Sequence, residues 1–165
     1  MRLLCSAAAL CLSATSYALC AATPAAAAGG KIIVFDFYFD NTSMEPTSTA
    51  ETGRLKAISD ALRADLQKAG YDVISGSGTK LTSVPNFSQC ADEQLAAAEK
   101  TGATQAACGW VQKVSNLILN LNLVIEDVRT HKALKGGSVD IRGNTDESWN
   151  RGLAYLVKEH VLETK

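Results

Sequence analysis

An alternating stretch between Gly109 and Trp149 constrains the fold more than any other part of the chain. Apolar residues alternate there with amides and small polar groups over more than ten positions. A period of two predicts a β-strand with one buried face and one largely polar face. The apolar side carries Leu117, Leu119, Leu121, Leu123 and Ile125. The other side carries Asn116, Asn120, Asn122 and Glu126, with Ile118 and Val124 among them.

The remaining elements can be placed from hydrophobic periodicity and from glycines that end helices. Predicted strands cover Lys31–Phe39, Tyr71–Ile74, Gln105–Val114, Asn116–Val128 and Ala133–Ile141. Predicted helices cover Arg54–Ala69, Ala91–Thr101 and Thr145–Glu159. Right-handed crossovers make the first three strands parallel, and hairpins add the last two antiparallel. The order β-α-β-α-β-β-β-α predicts a single α/β domain of mixed α+β character over residues 31–162. Its five-stranded mixed sheet would lie in two or three layers.

Two local features refine the last helix. Asn144 is predicted to be its N-cap, and Glu147 three residues later would complete a capping box. Trp149 falls on the apolar stripe of the same helix, which favours a packing role in the core.

Residues 1–28 have the pattern of a secretory signal peptide. Arg2 supplies a positive charge, an apolar run follows from Leu3 to Leu19, and small residues allow cleavage between positions 20 and 30. A lipoprotein anchor at Cys20 is the alternative, but Leu19 is large where that processing needs a small residue. We therefore expect a periplasmic or secreted protein with no membrane span after cleavage.

Two of the five cysteines, Cys90 and Cys108, lie in the exported domain. An oxidising compartment favours one disulfide between them, and a helix followed by a returning strand would bring them together. The alternative is a pair of unlinked thiols, with Cys108 a small buried hydrophobic residue.

Charge and motif content exclude several functional classes. Sixteen basic and seventeen acidic residues leave no basic cluster, so we expect no nucleic-acid partner. Asp36 and Asp40 could hold a calcium ion, but they lack the spacing of a calcium loop, and we predict neither a metal nor a cofactor. His131 and His160 lie near no nucleophile, and we expect no enzymatic activity.

The predicted hairpin strands carry the candidate site. In an antiparallel pair, their polar side chains would form one lattice available to a partner. Asparagine is disfavoured in strands, so its repetition favours recognition, although a merely solvated face is the alternative. The predicted binding residues are Gln112, Lys113, Asn116, Asn120, Asn122, Ser138, Asp140 and Arg142.

Several strings in the chain resemble known families. KIIVFDF and the helix RLKAISDALRADLQKAGYDVI resemble the amino-terminal domain of TolB and CsgG-like domains. GWVQKVSNLILNLNL and SVDIRGNTDESWNRG are more closely similar to an exported bacterial family, the 2380/3280 type of domain of unknown function. The broader resemblance implies cell-envelope adaptors that bind other proteins.

We therefore expect a periplasmic accessory protein that binds another cell-envelope protein through its polar sheet face. The alternative is a periplasmic small-molecule binding module. Its pocket would lie between the Asp40–Thr52 and Ser75–Ser88 loops, where ligands gather at the carboxyl ends of parallel strands.

Overall fold

A mixed β-sheet with helices on both faces forms the single domain seen in the computed structural model, which describes residues 29–81 and 89–162. The predicted signal peptide lies outside these residues. The strands are β1 (Lys31–Val34), β2 (Tyr38–Asn41), β3 (Asp72–Ser75), β4 (Gln105–Ser115), β5 (Ile118–Asp127) and β6 (Lys132–Arg142). The helices are α1 (Thr49–Lys68), α2 (Asp92–Thr101) and α3 (Asp146–Leu156), and a π-helical segment, Val157–Leu162, follows α3.

The strand directions confirm the predicted topology. The sheet order is β3-β1-β4-β5-β6, with β2 also pairing with β4. Strand β1 runs parallel to β3 and β4, and β4, β5 and β6 form an antiparallel meander. The α/β class and the mixed sheet are therefore as the sequence predicts.

The sheet has six strands where the sequence predicts five, because the first predicted strand is interrupted. Between β1 and β2, the amide of Phe37 donates to the Ser59 hydroxyl of α1 at 2.9 Å instead of to a neighbouring strand. The Asp36 side chain leaves the sheet to reach Arg63. Helix α1 thus binds the Phe37 amide, which a neighbouring strand would otherwise pair, and the Asp36 side chain.

The core lies in two layers on opposite faces of the sheet. Helices α1 and α3 cover one face, where the predicted apolar side of β5 is fully buried through Leu119, Leu121 and Leu123. Trp149 is also fully buried there, as predicted. Helix α2 covers part of the other face, with Leu95 packed beside the disulfide-linked cysteines.

Two helix starts differ from the prediction. Helix α1 begins at Thr49 because Ser48 and Glu51 form a capping box in the segment predicted as a loop. The prediction of Asn144 as the N-cap of α3 is wrong by one residue. Thr145 caps that helix with Ser148, because the Asn144 side chain is engaged with other elements.

Candidate functional site

A row of polar side chains crosses four strands on the face of the sheet that α2 partly covers. Asp40 of β2 stands opposite Gln112 of β4, which stands opposite Asn120 of β5, which in turn stands opposite Asp140 of β6. Neighbouring strands lie ~4.8 Å apart, so the row spans about 14 Å. The parallel β2–β4 pair and the antiparallel β4–β5–β6 strands therefore place two amides between two carboxylates.

A second row lies one pleat closer to α2. Trp110 of β4 stands opposite Asn122 of β5, and Asn122 stands opposite Ser138 of β6. Trp110 is buried and belongs to the core beneath α2. We call the polar members of the two rows the open face, which consists of Asp40, Gln112, Asn120, Asn122, Ser138 and Asp140.

Hydrogen bonds between side chains hold the open face in one arrangement. The Asn120 carbonyl oxygen accepts from the Asn122 amide at 2.5 Å and from the Ser138 hydroxyl at 3.0 Å. The Asn120 amide donates to the Asp140 carboxylate at 2.9 Å. Asn120 is consequently the centre of the network, with both ends of its amide group engaged.

Solvent reaches this network most freely near the edge strand. Ser138 and Asp140 are exposed, and Asp40, Gln112 and Asn120 are half-buried. Asn122 is only 9% exposed. A partner could therefore contact the exposed side chains of β6 directly. The less exposed amides hold those side chains in one arrangement.

The structure brings five of the eight predicted residues together on the open face. It places Arg142 on the same side of the sheet beyond Asp140, and Lys113 and Asn116 elsewhere. Arg142 is exposed at the end of β6, opposite Ile118. Asn116 lies in the β4–β5 turn. Lys113 points to the α1/α3 side and is buried, so including it in a polar face was wrong, since one residue along a strand changes the face. Asp40 was missed as a member. Its pairing depends on β2 lying beside β4.

Lys113 lies in a buried polar cluster on the opposite side of β4. Its Nζ is 2.8 Å from the Glu51 carboxylate and 3.0 Å from that of Glu45. Asn144 donates to Glu51 at 2.7 Å and to Asn116 at 3.1 Å, and it accepts from Trp149 Nε1 at 3.0 Å. We call Lys113, Glu51 and Asn144 the buried cluster, which the exposed residues Glu45 and Asn116 contact from the surface.

The charges of the buried cluster stabilise one another. Burial alone would raise the pKa of Glu51, but hydrogen bonds from Lys113, Ser48 and Asn144 outweigh it and lower the pKa to about 2. The hydrogen bond to Glu51 likewise raises the pKa of Lys113, although burial opposes it. Both groups are charged across the ordinary pH range.

Four large apolar side chains lie exposed at the end of the sheet next to the buried cluster. Met44 is in the loop after β2, and Val114, Leu117 and Ile118 surround the β4–β5 turn. Asn116 donates to Glu45, the neighbour of Met44, at 2.7 Å, which joins loop and turn. We call Met44, Val114, Leu117 and Ile118 the apolar tip. Sequence reasoning missed the tip, because it assigned Leu117 to the buried side of the strand.

Beneath α2, the predicted disulfide between Cys90 and Cys108 is confirmed, with Cα atoms 5.5 Å apart. The Cys90 amide donates to the Glu126 carboxylate at 2.7 Å. The second oxygen of this carboxylate is buried without a hydrogen-bond partner among the residues that the structure describes. Burial raises the pKa of Glu126, and the Cys90 amide only partly opposes that shift.

A shallow groove of about 330 Å³ lies beside the strand interruption, lined by residues that include Thr52, Lys56 and Ser77. Asp36 at its edge accepts hydrogen bonds from Arg63, Ser77 and the Gly78 amide. Burial opposes the shift, but these donors hold the pKa of Asp36 below its ordinary value. The Asp36 carboxylate is thus already occupied by the protein's own donors.

The part of the chain that the structure describes also bears on metal and membrane binding. Within residues 29–81 and 89–162, no group of three His, Cys, Asp or Glu side chains could hold a metal ion. In the same ranges, no helix combines the length and apolarity that a membrane crossing requires.

Comparison with known proteins gives a family and a fold. The family model DUF3280, described as a protein of unknown function (DUF2380), matches residues 30–161. No curated protein matches the chain in sequence. The PelC dodecamer from Paraburkholderia phytofirmans is 13% identical, with a TM-score of 0.53 over 81% of this chain and 89% of PelC.

Two further solved structures are similar at lower scores. The C-terminal domain of LpoB from Salmonella enterica is 14% identical, with a TM-score of 0.47 over 73% of this chain and 87% of that domain. TolB from Acinetobacter baumannii is 15% identical, with a TM-score of 0.38 over 72% of this chain and 24% of TolB.

Proposed function

The chain belongs to the DUF3280 family, and we propose that it is an exported accessory protein of the cell envelope. It acts by binding rather than by catalysis, and its partner is another envelope protein that docks on the open face. The amino-terminal signal pattern supports export. The partner's contacts would be polar and centred on Asn120 and Asp140.

The observation that carries this proposal is the ordered but accessible amide network. Asn120 is engaged at both ends of its amide, yet Ser138 and Asp140 beside it are exposed. Side chains already fixed before binding lose little conformational entropy when a partner arrives. Such pre-organisation is typical of a recognition surface.

A solvated face without a partner explains the same residues less well. Asparagine lowers strand propensity. Threonine or lysine would also hydrogen-bond with solvent, at a smaller cost in strand stability. Two asparagines on one face of β5, hydrogen-bonded to each other, are therefore better explained by recognition. The width of the row, about 14 Å, also suits a macromolecule better than a small ligand.

The proposal is tested by replacing Asn120 and Asp140 with Ala together. The purified variant is used to capture proteins from periplasmic extract, beside the unaltered protein. A matched variant changes an exposed amide and an exposed carboxylate far from the open face, Gln67→Ala with Asp72→Ala. We expect specific partners to be lost only with the first pair. Capture that is the same for both variants would remove the open face from consideration.

Self-association is measured in the same experiment. Because PelC forms a dodecamer, the partner could be another copy of the chain. Light scattering of the unaltered protein and both variants separates this form of the proposal from binding to a different protein.

The groove beside Asp36 supports a second candidate, a small-molecule binding module. It lies between the two loops where the parallel strands β1 and β3 end. A ligand would stabilise the fold by mass action. A thermal-shift screen with metabolites tests this candidate, with Ser77→Ala and Lys56→Ala as variants that should weaken any shift. If no metabolite moves the unfolding temperature, this candidate is set aside.

A further inference from the structure

We propose that the apolar tip and the carboxylates around it form a docking site for a basic, aliphatic segment of the partner protein. This inference rests on the proposed function, because it names the chemistry of the same partner. Aliphatic side chains of that segment would pack on the tip, and its Lys or Arg side chains would face the carboxylates.

Exposure of the apolar tip is the first observation. Met44 is fully exposed, Leu117 is 72% exposed, and Val114 and Ile118 are about half exposed. Single exposed apolar residues are ordinary on a protein surface, but four of them in a loop and a turn that a hydrogen bond joins are a candidate interaction site. The other large apolar side chains exposed in the described residues, Leu134, Tyr155 and Leu162, are remote from the tip in sequence.

The tip is also rigid. The β4–β5 turn is tied to the end of β6 because the Gly143 amide donates to the Leu117 carbonyl and the Asn144 amide to that of Asn116. Asn116 is further bonded to Glu45 and Asn144, which anchors the turn to the buried cluster. A partner would not have to order this surface on binding.

The charged side chains around the apolar tip indicate which kind of partner segment would bind there. Asp40 and Asp140 of the open face lie on one flank, and Asp146 and Glu147, both more than three-quarters exposed, begin α3 on another. Of these carboxylates, Asp146 pairs with Arg54 and Glu147 with Arg151. Lys113 is buried against Glu51, so the carboxylates without an ion pair among the described residues here are Asp40 and Asp140, and the exposed cation that opposes them is Arg142. Complementary charge favours a basic protein segment, and the same carboxylates repel an anionic bilayer.

Met44 allows a direct test. The chain has two methionines, Met1 and Met44. The full chain is produced in cells supplied with a diazirine analogue of methionine, irradiated in the intact envelope, and its adducts at Met44 are sequenced by mass spectrometry. We expect a protein segment in which Lys and Arg outnumber acidic residues and aliphatic side chains flank the linked position.

A paired variant, Leu117→Ser with Ile118→Ser, should reduce the yield of this adduct by roughly tenfold or more. The control Leu162→Ser changes an exposed leucine at the end of the π-helical segment and should leave the yield unchanged. Equal yields from both variants would overturn the inference.

The chemical nature of any other adduct also tests the inference. A lipid adduct, an adduct to a second copy of the chain, an acidic segment or no adduct would each overturn the inference. Capture of partners by the variant changed at Asn120 and Asp140 is measured in a separate experiment, which tests the proposed function. If that capture persists while the tip fails, only the docking chemistry is wrong. If a basic segment links to Met44 while the Asn120/Asp140 variant captures normally, the open face is wrong and the tip stands.

Discussion

Two buried glutamates on opposite sides of the sheet show how differently its two sides are completed. Glu51, on the α1/α3 side, and Glu126, beneath α2, are each 1% exposed. Glu51 receives hydrogen bonds from Lys113, Ser48 and Asn144, and its pKa falls to about 2. Glu126 receives one from the Cys90 amide, keeps a second oxygen unpaired, and has a raised pKa.

The difference separates stability from binding. On the α1/α3 side, residues of α1, of β4 and of the segment before α3 satisfy the charges of Glu51 and Lys113, and leucines fill the remaining space. The α2 side relies on a disulfide, tolerates an unpaired carboxylate oxygen and leaves an ordered amide network at the surface. The first side is thus closed by its own side chains, and the second is the side on which we propose that a partner docks.

The largest effect should come from opening the buried cluster. Replacing Lys113 with Ala leaves Glu51 buried without its cation, so we expect the free energy of unfolding to fall by about 3–5 kcal/mol. The control is Gln112→Ala, the next residue along β4 but on the other face, with a loss below about 1 kcal/mol. Urea denaturation measures both, and equal losses would contradict the contrast between the two sides.

Removing the disulfide tests the stability of the α2 side. Cys90 and Cys108 are separated by 18 residues, and opening a loop of that size costs roughly 3 kcal/mol through greater freedom of the unfolded chain. Cys90→Ser with Cys108→Ser should therefore lower the unfolding free energy by about that amount. A loss near zero would show that the packing of α2 is sufficient.

Acid should act on the buried cluster. The pKa of Glu51 lies below that of an unfolded glutamate, so its stabilising contribution is complete above about pH 4.5 and is lost as the pH falls toward 2. The contribution amounts to about 3 kcal/mol. Unfolding curves between pH 6 and 2 measure it in the unaltered protein and in Glu51→Gln. Parallel curves for the two proteins would contradict this assignment.

Glu126 should behave in the opposite sense. Because folding raises the pKa of Glu126, its contribution to stability is complete below the pKa of an unfolded glutamate. That contribution is lost as the pH rises through the higher pKa of the folded state. Glu126→Gln mimics the neutral form and should stabilise the protein at neutral pH by roughly 1 kcal/mol, the lower range for an unsatisfied buried group. Thermal unfolding at pH 5 and 8 checks that the gain is confined to the higher pH.

The smallest change in stability should come from the open face. Asn120→Ala removes an amide that contributes order at the surface, so we expect the unfolding free energy to change by no more than about 0.5 kcal/mol. Partner capture should nevertheless fall. A large loss of stability would instead identify the amide network as part of the fold.

Much of the fold could be predicted from local pattern, and the exceptions have physical causes. The alternation around Leu119 and Leu121 sets the burial of β5, and crossover rules set the strand directions. The break after Phe35 was not predictable, because it depends on Ser59 of a distant helix. Asn144 has the sequence signature of an N-cap, but a long-range bond to Glu51 and a bond from Trp149 use its side chain.

The candidate site was predictable where it depends on one hairpin and not where it depends on separate elements. Asn120, Asn122, Ser138 and Asp140 follow from antiparallel pairing of neighbouring strands. Asp40 joins them only through β2, and the exposure of Leu117 depends on where the turn begins. Lys113 was misplaced because polarity alone does not distinguish an exposed lysine from a buried one with partners.

The double role of Glu51 has a consequence for the motions of α1. The first turn of a helix usually frays, so its amides exchange with solvent through small local openings. Here the carboxylate that caps this turn also binds Lys113, which lies far along the chain in β4. Opening the turn would also separate Glu51 from Lys113, and exchange of the Glu51 and Thr52 amides, which bond to Ser48, should therefore become faster when Lys113 is replaced.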